Sequence, residues 1–235
     1  MDCDRFRVTI EAELAGQVAS LTGCEDFRRL EDGRATPGEY DAFIESLASA
    51  HLRSPQLLAF LYALAPPVAA DHLRHNLLEE LGLDEESGRP HPDLLVDLLV
   101  GAGLAHRLPV VQGEADADLR RIVTDPLLYG TLRAIGLAAL IEIVAFEYML
   151  SRVAGRLARA LATHRALPPP ALAWFTHHSE VDVRHAEEGL TALAAYVDYY
   201  AVGPEDALAI AETTLRENVF ARRYFRHFVV ARSAR

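Results

Sequence analysis

The chain has 235 residues, 51% of them hydrophobic, enough to bury one large core, and it carries a formal net charge of -11. That acidic balance works against binding to DNA, RNA or an anionic membrane, each of which demands a basic face. Aromatic residues make up only 8% of the sequence, glycines number 14, and Ala, Leu, Glu and Arg dominate, a helical composition rather than that of a sandwich or barrel.

The N-terminal stretch MDCDRFRVTIEAEL opens acidic and lacks the basic start and apolar run of a signal peptide. Cys3 and Cys24 stand in no metal-type spacing and supply no disulfide framework, so a cytoplasmic protein is expected. A first helix is predicted over about residues 5–21, with a charged loop after it, so that residues 1–34 form an N-terminal helix and loop. Thr36, Pro37 and Glu39 then spell a capping box with proline at the first helical position, and Ser54-Pro55 repeats the signal before QLLAFLYAL. A helix over about 67–81 stops at Gly82, LDEESGRP reads as a loop, and His91-Pro92 opens DLLVDLLVGAGL. Asp125-Pro126 opens a long apolar helix that ends near His164. Its segment AIGLAALIEIVAFEYML is nearly long enough to cross a membrane, but Glu142 and Glu147 inside it point to a buried core helix. LPPP at 167–170 and VGPED at 202–206 separate the last helices, the final one basic. With no alternating runs and no internal repeat, the expectation is one all-α domain over residues 1–235, a bundle of about seven to eight helices.

The densest chemistry lies in WFTHHSEVDVRHAEEG, residues 174–189. On a helix each residue advances about 100°, so His178, Asp182 and His185 share one face with Phe175, Ala186, Gly189 and Leu193. His177, Glu180, Arg184, Glu187 and Glu188 fall on the other face, where solvent explains them. Two imidazoles and a carboxylate on an apolar stripe must be paired or metal-bound once buried. On the long helix Arg152, Arg156 and Arg159 mark the wet face; Glu147 lies opposite them, whereas Glu142 leans toward solvent or an arginine. In DHLRHNLLEELG, Glu80 continues the apolar row of Leu73 and Leu77, and Glu79 reads as an exposed partner of His75. His91 alone reads as a helix-start residue. Taken together, Glu80, His91, Glu147, His178, Asp182 and His185 offer three carboxylates and three imidazoles from four helices, the way a bundle builds a dinuclear metal site. Two divalent ions would leave that set with a charge of about +1, and N/O ligands without sulfur suit Fe or Mn.

These residues resemble a known family, the haem-oxygenase-like diiron oxidases, with the fold of haem oxygenase, TenA and PqqC, and their CADD-like branch most. The resemblance rests on NLLEELG (76–82), HPDLL (91–95), an inward Glu on the long helix and FTHHSEVDVRHAEEG (175–189), and it spans about residue 35 to the C-terminus. The family pattern F-x-x-H-x3-D-x2-H selects His178 over His177, and its spacing selects Glu147 over Glu142. It implies one ion on Glu80, His91 and His185, the other on His178 and Asp182, with Glu147 bridging. Gly88 stands where some relatives carry an extra acid, which weakens any transfer of fatty-acid decarboxylation or N-oxygenation.

The resemblance implies an enzyme that uses two Fe(II) ions, or Mn, with O₂ to oxidise a small metabolite by hydrogen abstraction, C–C cleavage or oxygen insertion. A small amino-acid- or carboxylate-type substrate, an external electron donor and a homodimer belong to the same expectation, with no nucleic-acid or membrane partner. Arg216, Arg223 and Tyr224 of LRENVFARRYFRHFVV are candidates to hold an anionic substrate, against the reading of a basic face satisfying a helix C-terminus. The competing readings are a metal-free PqqC-like oxidase and a non-enzymatic metal- or partner-binding protein on the same fold.

Overall fold

Thr36 and Glu39 close a reciprocal capping box in the computed structural model of the chain, which describes residues 3–83, 88–124, 130–217 and 220–225. The Thr36 hydroxyl accepts from the Glu39 amide at 3.3 Å, and the Glu39 carboxylate accepts from the Thr36 amide at 2.8 Å. Two donors that the first turn leaves open are thereby satisfied, with Pro37 at the start of the helix where its missing N–H costs nothing.

Among the described residues the chain forms eleven α-helices and no strand. They are α1 (Cys3–Gly23), α2 (Glu25–Glu31), α3 (Pro37–His51), α4 (Ser54–Ala63), α5 (Ala70–Glu80), α6 (His91–Gly101), α7 (Leu108–Thr124), α8 (Leu132–His164), α9 (Ala173–Tyr199), α10 (Pro204–Glu217) and α11 (Phe220–Phe225). The count exceeds the seven to eight expected, for local reasons. The charged stretch after α1 is helical as α2, because Cys24 caps it and Phe27 and Leu30 drop into the core. α7 falls where no helix was expected from the sequence; its Pro109 sits in the first turn, where proline is tolerated, and Gly113 has open space around it. The basic C-terminal segment supplies α10 and α11, and residues 218–219 between them lie outside the described residues. α8 begins at Leu132, capped by the Thr131 hydroxyl; the expected start at Asp125-Pro126 lies outside the described residues.

α8 is the axis of the bundle. Every residue from Gly136 to Leu150 is buried, so this helix has no wet face there, and its length and apolarity are those of a core helix mostly covered by its neighbours. Solvent returns at Arg152 and Arg159, as the arginine pattern predicts, and Arg156 is bound by Glu31 of α2 at 2.7 Å. α9 packs along α8 more extensively than any other pair of helices does. The approach is close because Gly189 has no side chain: a Cβ there would meet Val144 Cγ2 at 2.7 Å and Glu147 Oε2 at 3.4 Å.

Candidate metal centre

The last turn of α5, the first residue of α6, the middle of α8 and the first half of α9 meet in the core, and each brings chemistry that an apolar core does not need. Glu80, His91 and His178 form one half. Glu80 Oε1 lies 3.0 Å from His91 Nδ1 and 3.8 Å from His178 Nε2, and its other oxygen accepts from the Ser54 hydroxyl at 2.6 Å. One ligand atom from each of the three residues falls within 4.8 Å of the other two, the compactness that a single ion requires. His178 donates Nδ1–H to the Trp174 carbonyl at 2.8 Å, which fixes the tautomer and leaves Nε2 as the lone-pair nitrogen facing Glu80. Burial pushes the Glu80 carboxyl up, but the attraction of His91 and the bonds to His178 and His91 outweigh it and hold the group well below the usual range.

Glu147, Asp182 and His185 form the other half. Burial lifts Glu147 to about 8 against the pull of His185, with Asp182 adding to the rise, so the carboxyl is protonated at neutral pH in the metal-free chain. The Asn76 amide donates to its Oε1 at 2.5 Å. His185 holds Asp182 Oδ1 at 3.5 Å through Nδ1 and the Glu79 carboxylate through Nε2. Burial lowers the imidazole, the bonds to Asp182 and Glu79 more than reverse it, and the group titrates near 10. Glu79 responds in the opposite sense: burial raises it, His185 and Arg184 overcome that, and it falls to about 2. Asp182 Oδ2 is buried with no hydrogen-bond partner among the described residues. An orphaned carboxylate oxygen in a core costs about 1–3 kcal/mol or more, and a cation is the natural remedy.

Two expectations change here. Glu79 is not exposed. Its Oε1 does reach His75 at 3.4 Å, but the side chain is only 8% exposed and is gripped by Arg184 at 2.5 Å and by His185. α5 ends against α9, so consecutive residues pointing about 100° apart reach α9 on either side, Glu80 toward His178 and Glu79 toward His185. The grouping of ligands also differs. His185 was expected with Glu80 and His91, but the end of α5 brings Glu80 to His178, while His185 is turned to Asp182 and Glu79. His178 takes that place, and His185 lies with Asp182. Asn76, Ser54 and Glu79 were missed from the sequence, although Asn76 lies one turn before Glu80 on the same face.

The other predicted residues divide. Glu142 meets Arg223 at 2.7 Å as expected of an acid leaning toward an arginine, and both are largely buried. Arg223 lines a cavity of about 50 Å³ together with Glu142, Phe146, Glu147, His178 and Asp182. Tyr224 is buried behind it and bonds His51, whereas Arg216 is exposed, pairs with Glu212 at 2.8 Å, and does not reach the cavity. The α9 residues assigned to solvent remain outside, except that the half-buried His177 ring packs on His91 at 4.5 Å.

The all-helical fold that brings these imidazoles and carboxylates together is similar to a haem-oxygenase-like fold. A solved structure of a domain of unknown function with that fold, from Shewanella denitrificans, superposes with a TM-score of 0.57 over 92% of this chain and 89% of its own length, at 17% identity. The family model for iron-containing redox enzymes matches residues 41–217, which include all six residues of the centre. The chain belongs to this family and is an iron-containing oxidoreductase. A curated relative, the 4-aminobenzoate synthase of Chlamydia pneumoniae, is 27% identical over 172 residues, which are 70% of this chain and 71% of that protein.

Proposed function

We propose that the enzyme holds two iron ions and uses O₂ to oxidise a small metabolite of the amino-acid or carboxylate type. Glu80, His91 and His178 would hold one ion, Asp182 and His185 the other, with Glu147 between them. The observation that carries this reading is the orphaned oxygen of Asp182 beside the buried Glu147 and a complete Glu80–His91–His178 cluster: one ion leaves the second set of donors unused. When bound, the two ions supply the electrons that reduce O₂.

The protein's own groups do the rest. Arg223 presents a guanidinium to the cavity, and a substrate carboxylate would take over from Glu142 as its partner in bidentate geometry. Leu57, Leu58, Leu119, Ile143, Phe146 and Leu150 make the apolar part of the wall. Ser54 keeps one oxygen of Glu80 oriented, and Asn76 does so for Glu147. The test is anaerobic loading with Fe(II), removal of unbound metal and elemental analysis. About two Fe per chain is expected for a dinuclear site of this kind, with loss of bound iron in His178→Ala. Retention of no iron, or of the same iron in His178→Ala, overturns the reading. Oxidation of substrate that survives chelation would favour a metal-free oxidase instead.

A further inference from the structure

Four side chains run in contact from a proposed iron ligand to α11, and the site described above uses only one of them. The His178 ring stacks on Trp174 with centroids 4.2 Å apart and planes inclined by 33°. Trp174 in turn lies 5.1 Å from the His51 ring, and His51 Nε2 is 2.7 Å from the Tyr224 hydroxyl. Trp174 and Tyr224 are each 1% exposed. Phe146 closes over His51 at 4.7 Å and Phe43 packs edge-on against Tyr224 at 6.1 Å, so the row is buried, with His51 also on the wall of the cavity. Packing alone does not call for this chemistry, because replacing both partners of a buried hydrogen bond by apolar groups of the same shape is close to neutral for stability.

We propose that Tyr224 is a redox-active phenol that passes one electron through Trp174 to the iron centre while its proton moves to His51 Nε2. The inference rests on the two-iron reading above, since the oxidant is the iron centre after reaction with O₂. The step balances: the phenol O–H breaks, an N–H forms on His51, a neutral phenoxyl remains, and the iron centre gains one electron. The protonation states fit. Burial holds the Tyr224 phenol well above its usual range, so the hydroxyl keeps its proton until it is oxidised. Burial, with repulsion from His178, keeps His51 down to about 3 and hence neutral, and in the tautomer with its proton on Nδ1 the Nε2 accepts from the Tyr224 hydroxyl. An oxidised phenol is a far stronger acid than the phenol, so a weakly basic imidazole suffices. The imidazolium that forms is opposed by the same burial and by Arg223, which drives the proton back when an external one-electron donor re-reduces the phenoxyl to the phenol. The radical is therefore transient and the row works as a relay.

The experiment is rapid freeze-quench EPR of the full-length Fe(II)-loaded chain mixed with O₂, with iron content and oxidation state measured on the same samples. The expected result is an organic radical whose hyperfine pattern changes with ring-deuterated tyrosine. It should be lost in Tyr224→Phe and in His51→Gln, which keeps an acceptor but cannot take the proton. Trp174→Phe, which interrupts the row, should slow its appearance. Iron that is retained and oxidised with no organic radical, or with a radical undiminished in Tyr224→Phe, overturns the relay alone. Failure to retain iron overturns the two-iron reading and the relay with it.

Discussion

Glu79 and Glu80 are neighbours in the chain and meet opposite halves of the centre, so substitutions at the two positions should differ in kind. Glu80 faces the would-be ion directly, whereas Glu79 occupies His185 Nε2, so that metal would have to replace the contact of Nδ1 with Asp182. Removing a carboxylate that orients a metal-binding imidazole costs about 10–100-fold in affinity, and Glu79→Ala should show that loss in a competition titration while Glu79→Gln, which still accepts a hydrogen bond, loses less. Equal affinity in Glu79→Ala and the parent chain would remove Glu79 from the centre. Protons are the second residue-scale consequence. Glu147 rises from 4.5 to about 8 and His185 from 6.5 to about 10 in the metal-free fold. Both folded values exceed the unfolded ones, so these groups stabilise the metal-free chain fully below their unfolded values and lose that contribution as pH rises through the folded ones. The unfolding temperature of the metal-free chain should fall between about pH 6 and 9, and metal affinity should rise over the same interval because binding must expel those protons. A metal affinity independent of pH there would contradict these assignments.

At the scale of elements, the seam between α8 and α9 depends on one glycine. A methyl group at residue 189 would press on Val144 and crowd Glu147. Overpacking of this kind costs about 1–3 kcal/mol, and Gly189→Ala should lower stability by that much in denaturant unfolding and weaken metal binding as well. The same seam shows what the sequence made legible. The face holding His178, Asp182 and His185 followed from helical periodicity, and the inward Glu147 from the arginines opposite it. Their grouping did not, because a periodic stripe says which residues look inward but not which neighbouring helix each will meet. Glu79 was misread for the same reason: Leu73 and Leu77 define the apolar row of α5, and only the end-on packing against α9 buries the residue beside that row. α2 and α7 escaped because a short helix with a sulfur cap, and one with proline in its first turn and a glycine in its second, carry weak local signals.

The molecule as a whole invests buried acids from α5, α8 and α9 in one place, and a bound ion should repay the resulting repulsion by holding the helices together. Fe(II) at about 100 times its dissociation constant would stabilise a one-site protein by about 2.7 kcal/mol, so anaerobic metal should raise the unfolding temperature and a chelator should reverse the rise. His178→Ala should abolish most of the response. An unfolding temperature indifferent to metal in the parent chain would show that these acids serve packing only.

The two halves of the centre are not equally prepared. Glu80, His91 and His178 already lie within reach of one ion, while Glu147 carries a proton and His185 is engaged on both sides. Assembly then has an order. The prepared trio would capture metal quickly, and the other half would fill later, at a rate set by how fast two protons depart. Stopped-flow mixing with metal should resolve a fast phase and a slow one, with only the slow phase accelerating as the solution is made more alkaline.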